Sequence, residues 1–347
     1  MNSFDGKTIL ITGATGFIGS KIISNLMQLK KINIIAISKN KKNINQYFSK
    51  YKKHKNFKSI AHDISKPLKN IKYNIDYIFH AASPQESKVI NSRPVDVIFP
   101  NLLGTINCLN FIKKKQKNKK KIRLIFFSSV TIYANKINKN VIFDESNTSI
   151  TENIMSINAP YSQSKRMAEV IINSYIKQYK IDAIICRLST VYGPTKYKVN
   201  NAFFKFINDA VLNKDIIVKS SALPKRDNIY IDDAISGLFL AALRGKNGEA
   251  YNISSNGDLG NFLAVDEIAK KVVDIYNNYF LIQSKKKLKF IIYRNSLKKR
   301  KGGIRLDNSK IKKLGWSLKT SICDGIKKSI KKKLDRMIEV KKLSLKI

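Results

Sequence analysis

The chain has 347 residues, 43% of them hydrophobic, enough to bury one large domain or two lobes. Lys and Arg number 66 against 24 Asp and Glu, a formal charge of +42. The lysines spread over nearly every predicted surface without the aromatic interleaving that stacks bases, and abundant Lys, Ile and Asn suit AT-rich codons, so no dedicated nucleic-acid partner is expected.

The opening Met1–Lys7 is polar, unlike a signal peptide, and no apolar run approaches the ~20 residues of a membrane span. Cys108, Cys186 and Cys323 match no metal spacing. Buried thiols in a reducing cytoplasm, with no metal site, are the expectation. Lys7–Thr12 reads as a buried strand, followed by Gly13-Ala-Thr-Gly16-Phe-Ile-Gly19, a helix to about Lys30 and a second strand at Ile32–Ile37. Strand, glycine turn, helix, strand opens a doubly wound α/β unit, and the turn suits a dinucleotide pyrophosphate. The spacing is Gly-x-x-Gly-x-x-Gly, a variant of the usual fingerprint with the same mechanics.

Strands are predicted at Phe57–Asp63, Tyr77–Ala82, Ile122–Phe127 and Asp182–Arg187, with a helix from about Val95 to Lys115. Lys113–Lys121 reads as a solvated helix end. Beyond Tyr192-Gly-Pro194 the alternation loosens: a helix near Ala202–Leu212, strands at Ile216–Val218 and Asn228–Ile231, then a helix at Asp232–Leu243. From Val265 onward the chain looks helical with one strand at Leu288–Ile292. Lys285–Lys301 is its most charged stretch, and Lys331–Ile347 is a basic amphipathic tail.

The chemistry centres on Tyr161-Ser-Gln-Ser-Lys165. Pro160 suits a first helical turn, and residues four apart share a helix face. A cation beside a phenol favours the phenolate, a base for a substrate hydroxyl. The same spacing also occurs on the wet face of structural helices, so context has to decide.

That context resembles the extended short-chain dehydrogenases/reductases, in particular the nucleotide-sugar NAD-dependent epimerase/dehydratase family. The resemblance rests on ordered motifs: Thr12–Gly19, His80-Ala-Ala82, Asn101–Thr105, Phe127-Ser-Ser-Val-Thr-Ile-Tyr133, Tyr161–Lys165, Arg187–Pro194, Arg226–Asp233 and Leu306–Trp316. It implies a Rossmann-like doubly wound parallel sheet with a smaller C-terminal substrate-binding lobe. Residues 1–190 would form the dinucleotide domain, with 228–252 returning to it, and 191–227 with 253–347 the second lobe. It implies Tyr161 as acid/base, Lys165 on the nicotinamide ribose lowering the tyrosine, and Ser129 and Thr131 at the reacting oxygen. Gly13, Thr15, Gly16, Phe17, Ile18 and Gly19 would meet the cofactor, with Ser38, Lys39, Asp63, Ile64, Ala81, Ala82, Asn101 and Ser128. Thr190, Asn201 and Arg226 would meet substrate, Arg226 at a diphosphate; its structural alternative is an ion pair with Asp227.

The chain departs from the family pattern in three places. Ser38 and Lys39 stand where an acidic residue selects NAD, which leans toward NADP. Val130 and Thr131 stand where dehydratases and decarboxylases carry extra carboxylates, and Thr190 stands where Asn is frequent. The expectation is therefore a nucleotide-sugar 4-epimerase working through a 4-keto intermediate; the resemblance separately implies a homodimer through two helices of the cofactor lobe. The alternatives are an NADPH-dependent 4-keto-sugar reductase, then a dehydratase or decarboxylase. Outside enzymes they are a dinucleotide-binding scaffold or a basic nucleic-acid binder.

Overall fold

The structure, a computed structural model, describes residues 2–69, 71–117, 120–133, 139–149, 152–195, 201–218, 223–281, 286–293 and 302–344. Parts of the charged Lys285–Lys301 stretch, of the Lys113–Lys121 connector and of the tail lie outside these. The first half contains β1 (Thr8–Thr12), α1 (Phe17–Leu26), β2 (Asn33–Ser38), α2 (Lys41–Tyr47), β3 (Phe57–Ala61) and β4 (Tyr77–His80). Next come α3 (Ser87–Ser92), α4 (Val95–Gln116), β5 (Arg123–Ser129), β6 (Val141–Phe143), α5 (Ala159–Tyr179) and β7 (Asp182–Leu188). The second half has β8 (Thr190–Tyr192), α6 (Ala202–Val211), β9 (Ile216–Val218), β10 (Arg226–Tyr230), α7 (Ile231–Arg244) and β11 (Ala250–Ile253). It ends with β12 (Phe262–Leu263), α8 (Val265–Tyr279), β13 (Phe290–Ile292), β14 (Ile304–Leu306), α9 (Ser309–Lys313) and α10 (Ile322–Ser344).

Seven parallel strands form the main sheet in the order β11-β7-β5-β4-β1-β2-β3. Its strands are apolar on both faces because helices cover both: Ile9 and Ile11 enter one core layer, Leu10 the other. Chain order reverses between β1 and β4. The crevice beyond their C-terminal ends is therefore where such a sheet receives a ligand. Thr12 pairs with His80 there, so the glycine turn and Ala81–Ala82 emerge side by side.

A smaller sheet, β12-β10-β14-β6 with β8 on β10, and a β13-β9 pair build the second lobe. Helix α7 packs on β7 and β11 of the main sheet, whereas β10 and β6 belong to the small one. Residues 228–230, expected to return to the dinucleotide domain, lie in β10 of the small sheet; β6, absent from the sequence expectation, has three residues, too few for periodicity to reveal it. Helix α4 has the length and mean apolarity of a membrane span, unlike the sequence expectation. It is a core helix, however, burying Val97, Asn101, Gly104, Cys108, Leu109 and Ile112.

Candidate active site

Backbone geometry builds the turn after β1. Gly13 lies at φ +65°, and a Cβ there would stand 2.7 Å from the backbone of Ala81 and Ala82. Only glycine suits a left-handed residue pressed against another strand end. A Cβ on Gly19 would collide with the Gly13 carbonyl. The turn is fixed by Ala14 N–H to the Ile37 carbonyl (3.0 Å), Gly16 N–H to the Gly13 carbonyl (2.9 Å) and a 2.7 Å bond between the Thr15 and Ser38 hydroxyls. Gly16 caps α1 without a side chain. The amides of Phe17, Ile18 and Gly19 therefore keep the anion-favouring character of a helix N-terminus. The side chains of the first two are engaged elsewhere: Phe17 meets Phe204 edge-on at 5.2 Å, and Ile18 packs on the core.

A cleft of about 470 Å³ opens beside this turn, lined by Gly13, Ser38, Lys39, Asp63, Ile64 and Ala82 among others. Lys39 Nζ lies 2.9 Å from Asp63, whose carboxylate also accepts the Ser65 N–H at 3.0 Å. Burial works to raise the Asp63 carboxyl, but Lys39 and Ser65 outweigh it and hold it below the usual range. Ile64 packs where a Cβ on Gly104 would reach, and Asn101 Nδ2 donates to Ser164 Oγ at 2.8 Å, fastening α4 to α5. These features fit a dinucleotide: a side-chain-free turn, an uncapped helix end and an apolar-walled slot. A second cleft of about 500 Å³, between α1 and α10, is lined partly by exposed lysines and shares only Phe17 with the predicted site.

Helix α5 starts at Ala159 with Pro160 in its first turn, and both Tyr161 and Lys165 are buried. Burial pushes the phenol up to about 12, against the pull of Ser129, Ser83 and Gln85. Burial likewise pushes the ammonium down to about 7, against the pull of Glu169. Lys165 was expected to lower Tyr161. Instead its Nζ donates to the Phe127 carbonyl at 2.6 Å and stands over the Phe126 ring, because a buried ammonium takes the acceptor within its reach.

Ser129 ends β5, and its hydroxyl accepts the Thr131 N–H at 3.2 Å. Thr131 Oγ1 is buried with no hydrogen-bond partner among the described residues. The Ser128 hydroxyl is tied to the Glu169 carboxylate. Asn201 caps α6, accepting the Phe204 N–H at 3.1 Å, so its carbonyl oxygen is already engaged. Thr190 opens β8, half-buried, opposite Asn228. Arg226 is exposed at the start of β10.

The Arg226–Asp227 ion pair weighed as the structural alternative does not form. Adjacent strand residues point to opposite faces. Asp227 is buried, accepting the N–H groups of Ser255 (3.1 Å), Asn256 (3.1 Å) and Leu306 (3.2 Å) and the Ser255 hydroxyl. Two further residues carry buried polar atoms that the sequence did not single out. His80 is buried, shares a 2.7 Å bond with the Thr12 hydroxyl, and is pushed down to about 3 by burial and by Lys165, hence neutral. Arg305 lies over Phe262, its Nε buried without a partner among the described residues. His80 sat in a quoted motif; nothing local singled out Arg305. Among the described residues no group of three His, Cys, Asp or Glu side chains is placed to hold a metal.

Residues 9–254 match the model of the NAD-dependent epimerase/dehydratase family. The chain belongs to that family. It is 32% identical over 283 residues to the dTDP-D-glucose 4,6-dehydratase of Dictyostelium discoideum, covering 78% of this chain and 62% of that one. The human dTDP-D-glucose 4,6-dehydratase is 28% identical over 338 residues, covering 93% and 89%. UDP-glucuronic acid decarboxylase 3 of Arabidopsis thaliana is 26% identical, covering 78% and 74%. Among solved structures, dTDP-glucose 4,6-dehydratase of Bacillus anthracis in complex with NAD superposes with a TM-score of 0.74 at 22% identity, covering 94% and 96%. UDP-glucuronic acid 4-epimerase of Bacillus cereus gives 0.73 at 24%, covering 93% and 98%. At these identities the likeness of the solved structures is one of fold.

Proposed function

We propose that this family member is a nucleotide-sugar 4-epimerase. The observation that carries the reading is the turn that follows Ser129 at the end of β5, where Val130 and Thr131 bring no carboxylate. Loss of water or carbon dioxide from a keto-sugar calls for an extra acid/base beside the tyrosine. Exchange at C4 needs only one. The curated relatives include dehydratases and decarboxylases; by the family resemblance, Val130 and Thr131 would set this chain apart from such enzymes.

In this reading Tyr161 takes the C4 hydroxyl proton and later returns it, while Ser129 hydrogen-bonds the same oxygen. Lys165 would turn from the Phe127 carbonyl toward the ribose and the phenol, the movement that makes the phenolate accessible. Arg226 would hold the diphosphate, and the buried pocket would exclude water. A bound nicotinamide would supply acceptance and return of hydride. The second reading, a 4-keto-sugar reductase using NADPH, is favoured by Ser38 and Lys39; the pairing of Lys39 with Asp63 weakens it, because a 2′-phosphate must compete with that carboxylate.

Turnover of nucleotide sugars in D₂O, read by NMR, tests this. Epimerisation inverts C4 and leaves C5 and C6 without solvent deuterium. A 6-deoxy product labelled from solvent would mean dehydration, and net oxidation of NADPH would mean reduction. A second copy of the chain is the proposed partner of the apolar outer face of α4 and α5, where Val95, Phe99, Leu103, Met167 and Val170 are exposed. Sedimentation of Phe99→Glu as a monomer beside a dimeric parent would support it.

A further inference from the structure

One turn beyond Lys165, Glu169 is buried on the same helix. Its carboxylate accepts Arg187 Nη2 at 2.8 Å and Arg187 Nε at 3.2 and 3.3 Å, and also the hydroxyl of Ser128. Arg187 Nη1 donates to the Tyr133 hydroxyl and the Glu145 carbonyl, both at 2.8 Å, and the Tyr133 hydroxyl donates to Asn252 Oδ1 at 2.9 Å. The network thus links α5 to β5, β7 and β11. A buried ion pair adds little net stability over an apolar substitute, so its placement invites a functional explanation. The groups around Lys165 supply one. From its own helix come Tyr161 and Glu169, from β4 the neutral His80, and from β5 the Phe127 carbonyl and Phe126 ring. From β7 comes Arg187, locked onto Glu169, and Asn101 of α4 carries no charge. Among these groups Glu169 alone is anionic.

We propose that Glu169 is a positioning residue: the buried counter-charge of Lys165 and the clamp on the strand end that carries Ser129. Arg187 sets how much of that charge Lys165 feels, because it holds the same carboxylate. The functional weight of this role rests on the reading of Lys165 given above, but the charge coupling is measurable with no substrate present.

The test is the titration of the lysine ¹³Cε resonances of the full chain by NMR. Burial pushes Lys165 down to about 7, far from ordinary lysines near ~10.4, so its signal stands apart and is assigned by its loss in Lys165→Met. Glu169→Gln should move that midpoint toward acid by ~1–2 pH units. Arg187→Gln, which releases the carboxylate to Lys165, should move it toward base. A fold disturbed without specific coupling would not produce shifts of opposite sign. Glu169→Asp keeps the charge on a shorter arm and should give a smaller acid shift; it carries the test if the other two do not fold. An unchanged midpoint in every folded variant overturns the proposal. Once a substrate is known, the basic limb of kcat should move to lower pH in Glu169→Gln, since Lys165 loses its proton sooner. Correct NMR shifts with no epimerase activity on any nucleotide sugar would sink the proposed function and leave the Glu169–Lys165 coupling standing.

Discussion

Replacing Gly13 by alanine separates two costs that a glycine turn normally confounds. Gly13 and Gly248 both have positive φ, +65° and +82°, but nothing lies within 4 Å of a Cβ at Gly248. Gly248→Ala should therefore carry only the left-handed backbone cost, ~1–2 kcal/mol, or a fall in Tm of a few degrees. Gly13→Ala carries that cost and a clash as well. A Cβ 2.7 Å from the Ala81 and Ala82 backbone must retreat to about 3.4 Å for ordinary contact, a displacement of roughly 0.7 Å. Neither side is a flexible side chain, so the glycine turn or the end of β4 must move. Misplacement of about 1 Å at a binding site can cost ~10²-fold. Calorimetric titration with NAD should then show at least ~10-fold weaker binding for Gly13→Ala and unchanged binding for Gly248→Ala. Equal affinities in the two variants would refute the assignment of the turn as the cofactor cradle.

Asp227 sets a pH dependence of stability. Burial pushes it up to about 6 from 3.8, so the folded chain holds this proton more tightly than the unfolded one. The stability it contributes is present below about pH 4 and is lost as pH rises through 6. Asp227→Asn should remove that slope from a series of melts, and should lower Tm throughout because an amide oxygen cannot serve every donor now on the carboxylate. Asp63→Asn frees Lys39 and should raise the affinity for NADP relative to NAD by roughly 10-fold; an unchanged ratio in fluorescence titrations would remove Lys39 from cofactor choice. Arg226→Ala should raise KM for the nucleotide sugar by ~10–100-fold with kcat nearly preserved, and an unaltered KM would place the diphosphate elsewhere.

Local patterns were legible where the physics is local. The glycine turn, the strand-helix alternation and the Tyr161–Lys165 spacing each depend on residues a few positions apart. The direction of Lys165 does not, because its acceptor, the Phe127 carbonyl, comes from β5, distant in sequence from α5. The bond between Ser128 and Glu169 was hidden for the same reason: nothing in β5 announces a carboxylate that reaches it from α5. The capping of α6 by Asn201 follows a local rule that its sequence position also displays. Strands β6, β8, β12 and β14, two or three residues each, fall below the length at which periodicity identifies a strand. The small sheet that presents Arg226 and Arg305 was therefore the least legible part.

The most direct measurement follows a nucleotide sugar labelled with deuterium at C4, turned over by the parent chain and by Tyr161→Phe, each with its cofactor content verified. The parent should interconvert C4 epimers with the label kept at C4 and no net reduction of cofactor. Tyr161→Phe should fold, hold cofactor and lose ~10³-fold or more in rate. Parental turnover by Tyr161→Phe would contradict the account at its centre.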